Sequence, residues 1–365
     1  MIPINDLSRS IADHDGVMEA ISRVVRSGNW IHGPEHNAFE DELSNFTGAK
    51  YAYGVGNGTD ALEIALRAVG CIAGSTVITV ANAGGYASIA AKSIGCKVVY
   101  CDVDPLHLVI DPESLKPLLS RAINAVVVTH LFGNVAPISR ITEMCKEYGI
   151  KVIEDCAQSI GGSENGNRLG TIGDVGTFSF YPTKNLGAIG DGGALTTNSD
   201  EYSKKIQSLR QYGWDGKYRI SIAGGMNSRL DEIQAAILRI NLRNLLKNNQ
   251  RRRDVIGLYS SGLQNSDFRL VTSGHDGSAP HLAVLLLPEE SDREKFRSKL
   301  MQANISTDVH YPILDNHQDG FNDLESNSFL KVSEKLTPRI LSIPLFPDLS
   351  ESEISEVVSA VLSKP

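Results

Sequence analysis

The sequence predicts an α/β protein whose central sheet is mainly parallel and is covered by helices on both faces. Two observations carry this prediction: short apolar runs rich in β-branched residues, and stretches with helical spacing that alternate with them. Strands that are apolar on both faces belong to sheets buried between two layers of helices. The predicted strands are residues 76–80, 97–103, 124–129, 151–154 and 175–180, and the predicted helices between them are residues 61–69, 86–94, 112–119 and 137–148.

The two ends of the chain add further elements. Apolar residues with helical spacing predict a helix over residues 16–26, which Gly28 ends. The strand-helix alternation stops beyond about residue 208, and we expect a large domain over residues 1–245 and a small C-terminal α+β domain over residues 246–365. The elements predicted there are one long helix from residue 230 through the basic stretch 247–253, a strand over 281–287, and helices over 292–303 and 350–362.

Composition excludes several classes of protein. The 365 residues include 35 Lys and Arg against 43 Asp and Glu, a formal net charge of −8, which does not attract nucleic acids to the chain as a whole. No apolar run approaches the roughly 18 residues of a membrane helix, and the N-terminus lacks the pattern of a signal peptide. We therefore expect a cytoplasmic protein without a membrane or nucleic-acid partner. The 5 cysteines form no Cys-x-x-Cys pair, which indicates neither a disulfide framework nor a zinc site.

A glycine-rich turn over residues 54–60 precedes the helix predicted from residue 61. The amides in the first turn of a helix bind anions, Gly58 allows a ligand to approach the backbone, and Thr59 can cap the helix or donate to the anion. The turn matches neither the dinucleotide-binding pattern nor a Walker loop. An ordinary strand-to-helix turn capped by Thr59 explains this stretch equally well.

A carboxylate, Asp155, follows the strand predicted over residues 151–154. Ligands of parallel sheets bind at the carboxyl ends of the strands, so this position is suited to chemistry. Asp155 could bind a metal, act as a base or hold a cationic ring nitrogen. A metal is the weakest of these alternatives, because no histidine or further carboxylate stands at ligand spacing.

A single lysine, Lys184, stands among apolar and glycine residues after the strand predicted over residues 175–180. Few acidic partners lie near it in the sequence, which favours the neutral amine that reacts with carbonyl groups. An anion site at Gly58 and Thr59, a carboxylate at Asp155 and an amine at Lys184 are the groups that pyridoxal 5'-phosphate needs for its phosphate, its pyridine nitrogen and its aldehyde. The three motifs together therefore predict a pyridoxal-phosphate enzyme without a metal.

With these motifs, the chain resembles the DegT/DnrJ/EryC1/StrS family of pyridoxal-phosphate sugar aminotransferases, which have the fold-type I architecture of aspartate aminotransferase. The resemblance extends over nearly the whole chain, and the segments around Asp155, Ser179 and Lys184 are the most diagnostic. The matching segments are residues 31–34, 56–62, 130–133, 154–158, 178–193, 225–230, 310–312 and 341–346.

The resemblance implies a role for each matching residue. Lys184 would bind the cofactor covalently and then move the proton during amino transfer, with pyridoxamine 5'-phosphate as the intermediate form of the cofactor. Asp155 would pair with the pyridinium nitrogen, and Gln158 would lie against the ring. Asn227 would reach the phosphate in the neighbouring subunit, which implies a homodimer with shared active sites. The remaining implied contacts are Gly58, Thr59 and Ser179 to the phosphate, and Tyr181, His310, Tyr311 and His317 to the sugar nucleotide.

The chain departs from the family pattern at Gly84, where many relatives carry an aromatic residue that stacks on the cofactor ring. Tyr86 is the nearest aromatic residue in the sequence. It either takes this place as a cofactor-binding residue or packs as an ordinary residue at the start of a helix. A second position favours amino transfer, because relatives that act as sugar dehydratases have histidine where this chain has Lys184.

The resemblance implies that the enzyme converts a nucleotide-linked 3- or 4-keto-6-deoxyhexose, dTDP-linked in the relatives most alike, into the amino sugar with L-glutamate as the amino donor. Three alternatives stay open. A dehydratase or epimerase on the same fold would use the same residues. A non-catalytic sugar-nucleotide sensor would normally carry a DNA-binding segment, and none is visible. A nucleotide-binding oxidoreductase would depend on residues 54–58 alone.

Overall fold

The computed structural model describes residues 1–10, 13–321 and 330–363. Its strands pair into one large sheet, one small sheet and a short hairpin. In chain order they are β1 (Tyr51–Val55), β2 (Thr76–Val80), β3 (Lys97–Cys101), β4 (Ala125–Thr129), β5 (Lys151–Asp155), β6 (Ser163–Glu164), β7 (Asn167–Arg168), β8 (Val175–Ser179), β9 (Gly193–Thr197), β10 (Arg269–Leu270), β11 (Ala283–Leu286) and β12 (Ile340–Ile343).

The helices lie between these strands and at both ends of the chain. In chain order they are α1 (Leu7–Ser10), α2 (His14–Ser27), α3 (Pro34–Thr47), α4 (Gly58–Ala68), α5 (Tyr86–Ser93), α6 (Pro112–Leu115), α7 (Ile138–Lys146), α8 (Asp200–Leu209), α9 (Glu232–Leu242), α10 (Leu245–Leu263), α11 (Arg293–Gln302), α12 (Lys331–Leu336) and α13 (Glu351–Leu362). None of the helices in the described ranges is long and apolar enough to cross a membrane.

The large sheet has seven strands in the order β1-β9-β8-β5-β4-β2-β3. Strands β3, β2, β4, β5 and β8 run parallel, and β9 is antiparallel to its neighbours β8 and β1. The predicted mainly parallel sheet is therefore confirmed. The sequence did not predict β1 and β9, which interrupt their apolar residues with glycine and threonine and which pair with each other from distant parts of the chain.

Both faces of the large sheet are buried. Along β4, Val126 and Val128 pack into one hydrophobic cluster, and Ala125 and Val127 pack into another on the opposite face. All four side chains are inaccessible to solvent. This burial explains why β4 consists almost wholly of β-branched apolar residues, since side chains alternate between the two faces of a strand.

The long helix predicted from residue 230 is two helices, α9 and α10, separated at Arg243 and Asn244. Helix α9 packs on α2 and α3, whereas α10 packs on α13 and β10. The two helices thus belong to different layers, and tertiary packing divides a segment whose local pattern is continuous. Helix α10 covers the small antiparallel sheet β10-β11-β12, where Tyr259, Leu285 and Phe346 are part of a separate core.

The carboxyl edge of the large sheet carries the ends of three adjacent strands, at Thr129, Asp155 and Ser179. Helix α4 begins close to this edge. The segment of residues 308–317 runs back to it from the C-terminal sheet: the Asp308 N–H donates to Ser342 O of β12 at 3.1 Å, and the Asp315 N–H donates to Ala81 O at 2.8 Å. The fold therefore closes this edge with residues that are distant in sequence.

Candidate active site

A cavity of about 550 Å³ opens at the carboxyl edge of the large sheet. Both Lys184 and Asp155 line it, although they follow different strands. The other residues that were predicted from the sequence and that line this cavity are Gly58, Thr59, Tyr86, Gln158, Ser179, Tyr181, His310 and Tyr311.

Two of the predicted residues, Asn227 and His317, do not line the cavity of the single chain. The backbone of Asn227 pairs with that of Gln211 at the base of the loop over residues 212–226. His317 ends the short 3-10 turn Asp315–His317. Their predicted contacts, with the cofactor of a neighbouring subunit for Asn227 and with the sugar nucleotide for His317, stay predictions.

Lys184 lies in the loop between β8 and β9, where its backbone N–H donates to Tyr181 O at 2.8 Å. Burial lowers the pKa of the Lys184 amine to about 8, and the nearby Asp155 carboxylate opposes this shift. An amine with that pKa is neutral in about one tenth of the molecules at pH 7, far more than an exposed lysine. Lys184 can therefore act as a nucleophile and a base near neutral pH.

Asp155 ends β5 and has only 5% of its surface exposed. Its carboxylate accepts hydrogen bonds from Thr129 Oγ1 at 3.2 Å and from the Ala157 N–H at 3.1 Å. Burial raises the pKa of Asp155, while the Ala157 amide, Lys184 and Thr129 act in the opposite direction. A cation that bound against this carboxylate would offset the cost of burying its charge.

The start of α4 lies against the end of β8. A β-carbon on Gly58 would lie 2.8 Å from the β-carbon of Ser179, so a glycine is needed for this close approach. Asn57, not Thr59, caps the helix: Asn57 Oδ1 accepts from the Asp60 N–H at 2.9 Å. Thr59 and Ser179 line the cavity beside the helix start, where hydroxyls and first-turn amides together suit a phosphate.

Gln158 is held at both ends of its amide group. Its Oε1 accepts from the Phe132 N–H at 2.7 Å, and its Nε2 donates to Tyr311 Oη at 3.1 Å. The first bond fixes which end of the amide is the oxygen, because a backbone N–H can only donate. The side chain therefore has one orientation at the cavity wall.

Sequence reasoning missed His281, which also lines the cavity. Its Nδ1 lies 3.2 Å from Oδ1 of Asn185, the residue after Lys184. Burial, with the nearby cations Lys184 and Arg252, lowers the pKa of His281 well below the usual value, so the ring is neutral. The only signal in the sequence was a histidine at the start of a predicted strand, which by itself does not indicate a site.

Within the described residues, a group that could hold a metal is formed by His130, Glu154 and Cys156, all buried. Glu154 already accepts the backbone N–H groups of Gly170 and of Ile172, at 2.8 Å and 2.7 Å, and its Oε2 lies 3.4 Å from His130 Nε2. These bonds occupy the carboxylate and tie a loop to β5. The arrangement is that of a structural hydrogen-bond network.

The residues at the cavity fit pyridoxal phosphate. A buried carboxylate at Asp155 suits the pyridinium nitrogen, and the amine of Lys184 suits the aldehyde. The helix start at Gly58, with Ser179 against it, suits the phosphate. The three groups that were combined from separate motifs thus lie on one cavity.

Comparisons with known proteins agree with this geometry. The model of the DegT/DnrJ/EryC1/StrS aminotransferase family matches residues 12–362. A dTDP-3-amino-3,6-dideoxy-alpha-D-galactopyranose transaminase from Aneurinibacillus thermoaerophilus is 38% identical over 362 residues, 99% of each chain.

Two solved structures show the same architecture. That of DesV from S. venezuelae, in complex with a ketimine intermediate, has a TM-score of 0.93 and 33% identity and covers 99% of this chain and 97% of its own. That of NtdA from Bacillus subtilis, with the bound cofactor PMP, has a TM-score of 0.92 and 29% identity and covers 99% of this chain and 84% of its own. The site geometry, the family match and these likenesses lead to one conclusion: this chain belongs to the DegT/DnrJ/EryC1/StrS aminotransferase family and is a pyridoxal-phosphate-dependent aminotransferase.

Proposed function

We propose that this protein aminates C3 of a dTDP-linked 3-keto-6-deoxyhexose, with L-glutamate as the amino donor. The observation that carries the chemistry is the cavity shared by Lys184 and Asp155, in which the amine has a pKa of about 8. The choice of sugar is supported by relatives. The Aneurinibacillus enzyme is named for a dTDP-3-amino-3,6-dideoxy sugar, and enzymes of Micromonospora megalomicea and Streptomyces venezuelae are named for a dTDP-3-amino-3,4,6-trideoxy sugar.

C3 is favoured over C4 because these names, and those of two relatives that act on UDP-linked sugars, place the amino group or the keto group at C3. Glutamate is supported by a Bacillus subtilis relative named 3-oxo-glucose-6-phosphate:glutamate aminotransferase. The UDP-linked names make a UDP sugar the alternative substrate.

When bound, pyridoxal phosphate supplies an aldehyde that accepts the amino group and a ring that withdraws electrons from the reacting carbon. The chain's own residues do the rest. Lys184 Nζ, neutral in part near pH 7, takes a proton from the amino donor and delivers one to the keto sugar. Asp155 stabilises positive charge at its end of the cavity, and Gly58, Thr59 and Ser179 hold the phosphate.

We assign the sugar nucleotide to the C-terminal wall of the cavity, where His310 and Tyr311 lie, and to Tyr181 at its rim. Burial lowers the pKa of His310, so the ring offers neutral hydrogen-bonding atoms to sugar hydroxyls. We also propose His317, which ends the turn Asp315–His317 after this segment, as a contact for the part of the substrate that extends beyond the cavity. The chain divides for this purpose into a cofactor-binding domain over residues 1–245 and a C-terminal domain over residues 246–365.

The proposed unit is a homodimer whose subunits complete each other's sites. The loop over residues 212–226 carries exposed aromatic and apolar side chains, with Tyr218 75% and Ile220 69% exposed, and Asn227 follows it directly. Tyr181 at the rim and Ile189, further along the loop between β8 and β9, are both half exposed. Such surfaces are typical of an interface, and a partner seated there would bring its own Asn227 to the phosphate.

The test is incubation of the purified protein with pyridoxal phosphate, L-glutamate and a panel of dTDP-3-keto, dTDP-4-keto and UDP-3-keto sugars. We expect an amino sugar from the dTDP-3-keto compound, and NMR identifies the aminated carbon. Production of 2-oxoglutarate in equal amount supports glutamate as the donor. Amination only at C4, or of UDP sugars alone, contradicts the proposed substrate; a dehydrated or epimerised product without nitrogen contradicts amino transfer.

A further inference from the structure

Tyr311 and Gly84 share one volume at the cavity wall. A β-carbon on Gly84 would lie 2.8 Å from Cε1 and Cζ of the Tyr311 ring, closer than real β-carbons approach any atom. Gly84 also has a φ of +79°, in the left-handed region that favours glycine. The ring of Tyr311 therefore fits only because residue 84 has no side chain.

The position of Tyr311 is set from several sides. Its hydroxyl accepts from Gln158 Nε2 at 3.1 Å, and Gln158 is itself fixed by the Phe132 N–H. The ring of Tyr86 meets the Tyr311 ring edge to face, with centroids 6.1 Å apart. Tyr311 therefore lies between Gly84, Gln158 and Tyr86, and Tyr311, Gln158 and Tyr86 line the cavity that contains Asp155.

The segment that carries Tyr311 is tied to the large sheet by contacts that need no cofactor. The Asp315 N–H donates to Ala81 O at 2.8 Å, and Ser88 Oγ donates to Asp315 Oδ2 at 2.7 Å. At its other end, Asp308 pairs with Ser342 of β12. Packing of the chain alone thus places the ring at the cavity.

We propose that Tyr311, rather than Tyr86, supplies the aromatic ring that contacts the pyridine ring of the cofactor in this protein, and that Gly84 is the residue that makes room for it. Tyr86, which is itself 46% exposed, then packs edge to face against the Tyr311 ring. The inference rests on the assignment of pyridoxal phosphate to this cavity. It makes the C-terminal part of the chain a direct contributor to cofactor binding as well as to sugar binding.

The experiment measures the dissociation constant of pyridoxal phosphate for the cofactor-free protein, by absorbance titration without any sugar. Tyr311→Ala is expected to raise this constant about tenfold or more, because an aromatic contact contributes about 0.5–1.5 kcal/mol beyond its buried area. Tyr311→Phe keeps the ring and is expected to stay within about threefold of the parent. Parent affinity and an unchanged spectrum of the bound cofactor in Tyr311→Ala would overturn the proposal.

Gly85 provides a matched control for Gly84. Both have left-handed backbone, with φ of +82° and +79°, but a β-carbon on Gly85 meets no atom closer than 3.5 Å. Gly84→Ala should therefore weaken cofactor binding far more than Gly85→Ala. In the Tyr311→Ala background, Gly84→Ala should raise the dissociation constant of pyridoxal phosphate much less than it does in the parent. The reason is that the ring with which the new β-carbon collides is absent. An equal cost of Gly84→Ala in both backgrounds contradicts a shared volume.

Two further readouts keep the outcome interpretable. Thermal unfolding of the cofactor-free variants shows whether each one folds, and Tyr311→Phe serves as the folded ring-retaining reference if Tyr311→Ala does not. Cofactor affinity is measured without substrate, so a protein that binds pyridoxal phosphate normally but aminates no sugar in the panel contradicts the proposed function and leaves this test intact. Normal amination with unchanged cofactor affinity in Tyr311→Ala contradicts only the role of Tyr311.

Discussion

The two sides of the active-site cavity are built in different ways. On the strand-end side, Asp155 and Ser179 each end a strand, and Lys184 follows in the next loop. On the C-terminal wall, His281 and Tyr311 arrive from a separate sheet and its connections. The chemistry therefore sits in short contiguous motifs, whereas the shape of the cavity depends on contacts between distant parts of the chain.

The electrostatics of the two sides differ in the same way. The strand-end side holds a potential ion pair, in which burial lowers the pKa of Lys184 to about 8 and raises that of Asp155. On the wall, burial lowers the pKa values of His281 and His310, so these rings are neutral at physiological pH. Among the residues that line the cavity, the buried amine and carboxylate lie on the strand-end side, and neutral rings that form hydrogen bonds lie on the C-terminal wall.

The largest effect is expected from Lys184→Ala on the strand-end side. Removal of the amine should abolish turnover and the absorbance band of the lysine-bound cofactor, because no other amine lines the cavity within the described residues. Steady-state kinetics and the visible spectrum measure both. Lys247→Ala, an exposed lysine on α10, is the control and should behave as the parent. Turnover by Lys184→Ala at the parent rate would show that the assignment is wrong.

Asp155→Asn should rank next, with kcat/KM lowered by about 100-fold or more, since the amide keeps the shape but loses the charge that stabilises a cation. Thr129→Val is the matched control, because it removes only the 3.2 Å bond to the carboxylate. It should cost clearly less than Asp155→Asn, because the carboxylate keeps its charge and its hydrogen bond from the Ala157 N–H. Equal rates for the two variants would mean that the charge of Asp155 is not used.

Gly58→Ala should weaken binding of pyridoxal phosphate by about tenfold, because the new β-carbon would lie 2.8 Å from that of Ser179 and displace the phosphate site. Gly257→Ala is the control: it is also helical, but no atom lies within 4 Å of its β-carbon. That substitution should stabilise α10 slightly and leave cofactor affinity unchanged. The measurement is the dissociation constant of pyridoxal phosphate for each variant. Equal values for the two variants would refute a tight contact at Gly58.

The smallest effect on activity is expected from Asp315, which lies behind the C-terminal wall in contact with Ala81 and Ser88 and acts on stability. Burial raises its pKa to about 7, so the folded state binds more protons than the unfolded state between about pH 4 and 7, and the stability it contributes falls as pH rises through that range. Asp315→Asn removes this dependence. Relative to the parent, its free energy of unfolding should rise by roughly 1–3 kcal/mol from pH 4 to 7.

Urea denaturation of both proteins across this pH range measures the difference. Asp276→Asn, at an exposed aspartate, is the control and should give a curve parallel to that of the parent. A parallel curve for Asp315→Asn as well would show that the burial of Asp315 carries no cost.

Much of the fold and of the strand-end side followed from local patterns. Wholly apolar strands predicted the parallel sheet, and the residues just after them predicted Asp155 and Lys184 as neighbours. Less could be predicted where elements depend on distant parts of the chain. Strands β1 and β9 form by pairing with each other, and the break between α9 and α10 arises because the two helices pack in different layers. The helix cap for which the sequence suggested Thr59 is Asn57, two residues earlier.

By itself, the sequence determined which groups are available for chemistry, because a strand end or a helix start presents its residues in a way that neighbouring residues largely dictate. Only the tertiary structure decided what surrounds those groups. The residues next to Gly84 in the sequence do not explain why position 84 lacks a side chain. The explanation is the ring of Tyr311, more than two hundred residues later, which occupies the space of that side chain. In a close-packed interior, the side-chain volume that one position can accommodate depends on the residues packed against it. The spacing of residues along the chain does not reveal which residues those are.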